Sequence, residues 1–363
     1  MRNPTSRRTR RASTLKVWLL LSNRLGDNNQ LFALARELGF PFEVKDLRFN
    51  PLRKFPVFHG SGLANVCRVS RSLIQPPWPD LVISAGYPAV PVARYIRRAS
   101  GGAAKIVHIG NARTDISDFD LHITTPQYPS PQAGNLLELP LPIGNPARDV
   151  QPTHEEREWL STYPRPRRLV AVGGPARHWE LDHAALGKAL HVLRQRIPGG
   201  SIIVATSPRT RATTRRFLTH ELVGPRETVV ADFPRFGALL SEVDEIHVTA
   251  DSVSMTSEAV LTGKPVGIVP IRRSIRGHVA HWLWEKPLGR AILPDFPNFW
   301  DLLCTEQLAG TVELPVASQV CDTAARAAAA VRSLLAPGDA VDEGKAESAD
   351  PDLGPARRSS RRQ

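Results

Sequence analysis

At 363 residues the chain is too long for one ordinary domain and long enough for two that each bury a core. No apolar run has the length of a bilayer span, and Cys67, Cys304 and Cys321 lie far apart without CxxC spacing. That argues against a membrane-spanning class, a disulfide framework and a structural zinc, and it fits a reducing, cytoplasmic compartment. The net charge of +12 includes six basic groups and no acid in residues 1–16, a balance that suits nucleic acid, an anionic membrane surface or a phosphorylated small molecule.

Residues 1–14 read as a disordered basic arm, with organelle targeting the less favoured alternative. A strand at Leu15–Ser22 leads into a polar loop, Asn23–Gln30. A helix follows, with apolar Leu31, Leu34, Ala35 and Leu38, and Gly39 stops it. Short apolar runs come next at Pro41–Phe49, Asp80–Ser84, Lys105–Ile109, Asp120–Thr124 and Asn135–Leu141. They are continuous rather than alternating, which predicts strands covered on both faces, the habit of a parallel sheet. Residues 15–150 therefore form an expected first domain.

Residues 151–168 read as a linker, its helix opened by Thr153 and Glu156 at capping-box spacing. Residues 169–335 restart the theme with a strand at Leu169–Val172, a loop at Gly173–Trp179 and a helix through Leu186, Leu190 and Leu193. Apolar runs recur at Ser201–Ala205, Glu227–Ala231, Glu245–Val248 and Pro265–Val269, and Ala324–Leu335 makes a terminal helix. Residues 336–363, polar and rich in Pro and Gly, read as a disordered tail. The expected fold class is α/β, two tandem Rossmann-like doubly wound domains facing a cleft.

The strongest chemical signal is Asp251–Glu258, a small-residue turn after a strand that opens a helix stopped by Gly263 and Pro265. Helix N-termini at the carboxyl ends of parallel strands present unpaired N–H groups and partial positive charge. Ser252, Ser254 and Thr256 add hydroxyls suited to a diphosphate. Glu258 can accept both hydrogen bonds of a ribose diol; equally, it can compensate the helix dipole while Ser252 or Asp251 caps.

Other strand ends offer further groups. Gly173 and Gly174 could approach a diphosphate through backbone N–H groups, with Arg177 as a clamp or a solvated surface group. Thr206, Ser207 and Arg209 occupy another strand-end loop, as does Gly86. Asp27 is the carboxylate best placed to act as a base, although Asp27, Asn28 or Asn29 could simply cap a helix. His108 reads as a satisfied core histidine. Asp118 and Asp120 match a short metal-binding pattern without its usual company, so no metal is expected. His278, His281, Trp282 and Trp284 cluster after the basic stretch Arg272–Arg276, where the tryptophans are expected to pack and the arginines to face water or phosphate.

The 251–268 segment resembles the donor-site signature of GT-B glycosyltransferases. More closely, the chain is similar to the mitochondrial fission Elm-type family, whose bacterial members are described as glycosyltransferases. The stretches that carry this are Gly26–Gln30, Pro77–Gly86, Val107–Gly110, Thr125–Tyr128, Val172–Pro175 and Asp251–Met255.

The resemblance implies a GT-B-like fold with a donor site of Ser252, Ser254, Met255, Thr256, Ser257 and Glu258, joined by Gly173, Gly174, Arg177, Thr206, Ser207 and Arg209. It further implies acceptor contacts from Gly26, Asn28, Gln30 and Gly86, and Asp27 as base. No cofactor is expected beyond a nucleoside-diphosphate sugar as co-substrate. The expected acceptor is an envelope or lipid-linked glycan, met peripherally at the inner face of an anionic membrane, with no nucleic acid involved. The alternative is a non-catalytic scaffold recruiting partners in membrane or organelle dynamics. The peptidoglycan precursor enzyme of this fold has a histidine where this chain has Gly26 and Asp27, so its acceptor chemistry does not carry over.

Overall fold

Aliphatic runs form the central strands here because helices cover both faces of each sheet, whereas the edge strand Phe42–Asp46 leaves Phe42 and Val44 exposed. A computed structural model describes residues 15–54, 60, 62–128, 130–144, 151–176, 178–196, 199–231, 236–280, 282, 296–319 and 322–336.

The first sheet holds β1 (Val17–Leu21), β2 (Phe42–Asp46), β3 (Leu81–Ala85), β4 (Lys105–Ile109), β5 (Leu121–Thr124) and β6 (Leu136–Glu138), all parallel, in the order β2-β1-β3-β4-β5-β6. On one face lies α1 (Leu25–Leu38), which buries Leu31, Leu34, Ala35 and Leu38. On the other lies α2 (Val90–Ala99), with Val92, Ala93 and Ile96 in the core. Gly39 ends α1 at φ 73°, its N–H reaching the carbonyls of Ala35 and Arg36.

The helix α3 (His154–Ser161) opens with both halves of the expected capping box, Thr153 N to Glu156 Oε2 at 2.7 Å and Glu156 N to Thr153 Oγ1 at 3.2 Å. Its Leu160 packs in the core of the second sheet. That sheet contains β7 (Arg167–Val172), β9 (Ser201–Thr206), β10 (Glu227–Val230), β11 (Glu245–Thr249), β12 (Pro265–Val269) and β14 (Gly310–Thr311), in the order β10-β9-β7-β11-β12-β14. The strand β15 (Val316–Ala317) adds antiparallel to β12. Flanking helices include α4 (His183–Arg196) and α5 (Val253–Val260). A two-stranded ribbon pairs β8 (Trp179–Glu180) with β13 (Arg272–Arg273), and α6 (Ile275–Ala280) follows it.

Two expectations change. The polar stretch 23–30 is not a loop, because α1 begins at Leu25. Asn28 accounts for the difference: its Oδ1 accepts from Ser22 N at 2.9 Å and its Nδ2 donates to Ser22 O at 2.7 Å, so its polarity ties the helix to the end of β1. The terminal helix α7 (Thr323–Leu335) packs on α1 rather than with the second sheet, burying Ala324, Ala327, Ala328 and Val331 in the first core. Its stripe of small side chains permits that close approach. The expected basic arm (1–14) and the tail beyond Ala336 lie outside the described residues. No described helix is long and apolar enough to cross a membrane.

His108 is a core histidine, fully buried with Nδ1 2.9 Å from Ser84 Oγ and its ring near-parallel to those of Phe119 and His122, but it is not the satisfied one expected, since Nε2 has no hydrogen-bond partner among the described residues. Burial first, then the His122 and Arg94 charges, pushes its pKa down to about 3; burial lowers His122 to about 4. Unfolded, both take up protons near 6.5; folded, they do not until far lower pH. Their contribution to stability is therefore complete above about 6.5 and is lost as pH falls. At pH 5 the loss should be about 2 kcal/mol per histidine. Urea midpoints at pH 7 and 5, compared between wild type and His122→Phe, check this; an unchanged difference between the two pH values would overturn it.

Candidate functional site

Parallel sheets bind ligands outside the carboxyl ends of their strands, where neighbouring strands send their connections to opposite faces. In the first sheet that point lies between β1 and β3, in the second between β7 and β11. Both open on one cleft. A cavity of about 350 Å³ is lined by Asp27 and Gln30 from α1, Gly86 after β3, Arg113 after β4, Gln127 and Tyr128 after β5, His178 and Trp179 after β7, Arg209 after β9 and Asp251 after β11. A neighbouring cavity of about 470 Å³ shares Gln30, Pro142 and Ile143 with it and adds Gly26, Ser254, Ser257 and Glu258.

Asp27 sits at the first of these points. A side chain at Gly86, whose φ is +70°, would place a Cβ 3.0 Å from Asp27 Oδ2, so the carboxylate lies against bare backbone. Arg24 Nη1 lies 3.9 Å from the same oxygen. Burial raises the Asp27 pKa, and the Arg24 charge partly offsets it. The Tyr128 hydroxyl is raised as well, by burial and by the Asp27 charge.

Asp251 sits at the second point, its side chain fully buried. Oδ2 accepts the Gly174 N–H at 2.8 Å and lies 3.6 Å from Arg209 Nη2, whereas Oδ1 has no hydrogen-bond partner among the described residues. Burial raises its pKa against the opposing pull of Thr249, Gly174 and Arg209.

On α5, Ser254, Ser257 and Glu258 line the second cavity, and a Cβ at Gly26 would lie 3.3 Å from Ser254 Oγ. The starts of α1 and α5 therefore meet across the two domains. Burial alone pushes Glu258 up to about 7.

The rest of the anticipated set is used structurally. Ser252 caps α5 toward Met255 N, Thr256 Oγ1 bonds Ser252 O at 3.0 Å, and Met255 packs on the second core. Ser257 Oγ also donates back to Val253 O, at 2.7 Å. The N–H groups of Gly173 and Gly174 are not available to a diphosphate, since Thr249 Oγ1 and Asp251 Oδ2 take them at 2.8 Å each. Thr206 is buried, and Ser207 bonds Thr210 and Val172; neither lines the two cavities. Asn28 is held by Ser22, as above. Arg177 lies outside the described residues. Brought together at the cavities are Gly26, Asp27, Gln30, Gly86, Arg209, Ser254, Ser257 and Glu258.

Gly174 has a packing duty that can be measured. A Cβ there would fall 2.1 Å from the Arg209 carbonyl oxygen, a clash with backbone that no side-chain rotation relieves. Gly174→Ala should cost about 1–3 kcal/mol, read from the denaturation midpoint. An unshifted midpoint would mean the Arg209 loop simply retreats.

Tyr128, Arg113 and His178 had no role in the sequence, and Asp251 only that of a possible cap, which Ser252 takes instead. Tyr128 closes one of the stretches that carry the family resemblance, and Asp251 opens another, so the signal was present without a chemical argument attached. Arg113 stacks on Tyr87, its guanidinium carbon 4.3 Å from the ring centroid, at a backbone φ of +54°. Asp118 and Asp120 are engaged by Arg94 and Arg97, with Lys105 Nζ 3.2 Å from Asp120 Oδ1. No described cluster of three or more His, Cys, Asp or Glu is disposed to hold a metal.

Residues 25–334 match the family model described as mitochondrial fission ELM1. The mitochondrial fission protein ELM1 of Arabidopsis thaliana is 25% identical over 237 residues, covering 56% of this chain and 54% of that protein. The chain thus spans about half the length of the curated relative it matches. Among solved structures, a Listeria monocytogenes protein described as a UDP-N-acetylglucosamine 2-epimerase aligns with a TM-score of 0.50 at 14% identity, over 89% of this chain and 96% of that one. At that identity the likeness establishes the fold, the two-domain GT-B arrangement, and a shared fold does not carry function by itself.

Proposed function

The chain belongs to the mitochondrial fission ELM1 family, and on that premise we propose that it binds a nucleoside-diphosphate sugar in the cleft and transfers the sugar to a glycan acceptor. One observation carries the reading: carboxylates from both domains, Asp27 and Glu258, stand at adjoining cavities where the starts of α1 and α5 meet. Glu258 accepts the two ribose hydroxyls. The positive end of α5, with the Ser254 hydroxyl and Arg209, takes the diphosphate.

Transfer follows from this placement. Asp27 accepts the acceptor hydroxyl proton as that oxygen bonds the anomeric carbon, and the bond from that carbon to the diphosphate oxygen breaks, leaving its electron pair on the diphosphate. The developing charge is stabilised by Arg209 and the helix dipole, groups fixed before the reaction begins. Burial suits Asp27 to the task, because a raised pKa makes a stronger base. An envelope or lipid-linked glycan as acceptor would place the protein in the cytoplasm, peripheral to the inner membrane face.

Calorimetric titration with UDP, GDP and their sugar conjugates tests the donor site. Micromolar binding of one series is expected; no binding of any of them would sink the reading. The description of the Arabidopsis relative favours a second reading, a GT-B-like scaffold recruiting partners in organelle or membrane dynamics. Nucleotide binding with no donor consumption in the presence of envelope extracts would select it.

A further inference from the structure

The stretch 271–282 carries Arg272, Arg273 and Arg276 and no acid. One side of it is fixed to the second domain. β13 pairs with β8, Ser274 N donates to His178 O at 2.9 Å, and a Cβ at Gly277 would lie 2.2 Å from that same carbonyl oxygen, so α6 rests directly on backbone.

Pinning that side turns the other outward. Ile275 is 83% exposed, Val279 52% and Trp282 67%, against the expectation that Trp282 packs; His281 and Trp284 lie outside the described residues. Ile275 and Val279, four apart, lie on one side of α6, and Trp282 follows the end of that helix by two residues. Single apolar residues at a surface need no explanation, whereas three exposed within eight residues beside basic groups do. Arg276 is exposed beside them, and Arg272, also exposed, reaches Glu180 at 3.2 Å and Asp182 at 3.8 Å.

We infer that this face docks the protein on an anionic phospholipid surface. Ile275, Val279 and Trp282 enter the headgroup boundary, and Arg272 and Arg276 meet lipid phosphates, the arrangement of an interfacial amphipathic segment. Tryptophan favours that depth because its ring is apolar and its N–H still finds water. The charge decides for lipid over a second copy of the chain, which would bring the same arginines together. His178 and Trp179, on which α6 and β13 rest, also line the cleft. Docking therefore carries the cleft close to the lipid surface, a consequence that bears on a lipid-linked acceptor only if the transfer reading above holds.

Flotation of the full chain with vesicles tests the inference, using phosphatidylcholine alone and phosphatidylcholine mixed with phosphatidylglycerol. Wild type should float with the mixed vesicles and only weakly with the neutral ones. Combining Ile275→Ser, Val279→Ser and Trp282→Ser should lower partition at least about ten-fold, and Arg276→Glu about five-fold or more. Unchanged melting and nucleotide titration in the variants show that the fold and the donor pocket are intact, so loss of flotation reads docking alone. A donor pocket that fails leaves flotation untouched. Three results overturn the inference: wild type that does not float, a triple variant that floats like wild type because the basic residues 1–16 hold the lipid, or a triple variant that dissociates a dimer in sedimentation while flotation persists.

Discussion

Replacing Glu258 with Gln should weaken nucleotide-sugar binding about 10- to 100-fold at pH 8 and remove most of its pH dependence. Hydrogen bonds to a charged group are worth about 1.5–3 kcal/mol, and Gln keeps one acceptor while losing the charge. In the free protein the carboxyl titrates near 7, held up by burial. Only the ionised form accepts both hydroxyls of a diol. Wild-type affinity should therefore be level above about pH 7.5 and fall about ten-fold per unit below 7, with proton release on binding at pH 6. Stability moves the other way. Between 4.5 and 7 the unfolded chain releases this proton while the folded chain keeps it, so the native state loses stability as pH rises through that window. Glu258→Gln should accordingly stabilise the ligand-free protein at pH 8, by about 1–2 kcal/mol after allowance for the partly exposed side chain. Calorimetry in buffers of different ionisation enthalpy and a thermal melt read the two effects. Weaker binding without greater stability would show that Glu258 contributes through contacts and not through a desolvated charge.

Asp27→Asn should reduce donor turnover about 10²- to 10⁴-fold and leave donor affinity within about three-fold. The amide keeps the shape of the carboxylate against Gly86 and cannot take a proton. Because burial raises the Asp27 pKa, wild-type turnover should fall on acidification at a pH above that of an ordinary aspartate, and the residual activity of the variant should lack that limb. Donor consumption with envelope extract, measured across pH beside nucleotide titrations, separates base chemistry from binding. Full turnover in Asp27→Asn would remove it as the base, leaving Tyr128, the neighbour whose hydroxyl its charge perturbs, as the next group to test.

Much of the fold was legible in the sequence because its signals are local. Continuous aliphatic runs announced parallel strands, the Thr153–Glu156 spacing announced a cap that forms with both bonds, and His108 read as a core residue and is one. The candidate site was legible only in part. Ser254, Ser257 and Glu258 lie on one helix, and their segment marked itself by strand, turn and helix stop. Ser252, Thr256, Gly173 and Gly174 look the same in sequence, yet their polar groups are consumed by neighbours. Hydroxyl-rich turns are equally good at binding ligands and at satisfying their own backbone, and composition does not distinguish the two.

Periodicity and turn chemistry act over a few residues, and they were enough for two doubly wound α/β units and for the segment at 251–258. Which groups share a cleft depends on how the layers pack. Strand order sets where connections diverge, and with it the convergence of Asp27 and Gly86 in one domain and of Asp251 and Arg209 in the other. The same packing returns α7 to the first core and, with α6 resting on His178, turns Ile275, Val279 and Trp282 outward. These outcomes depend on contacts between residues far apart in the chain, where the geometry of packed layers and not local preference sets the free energy.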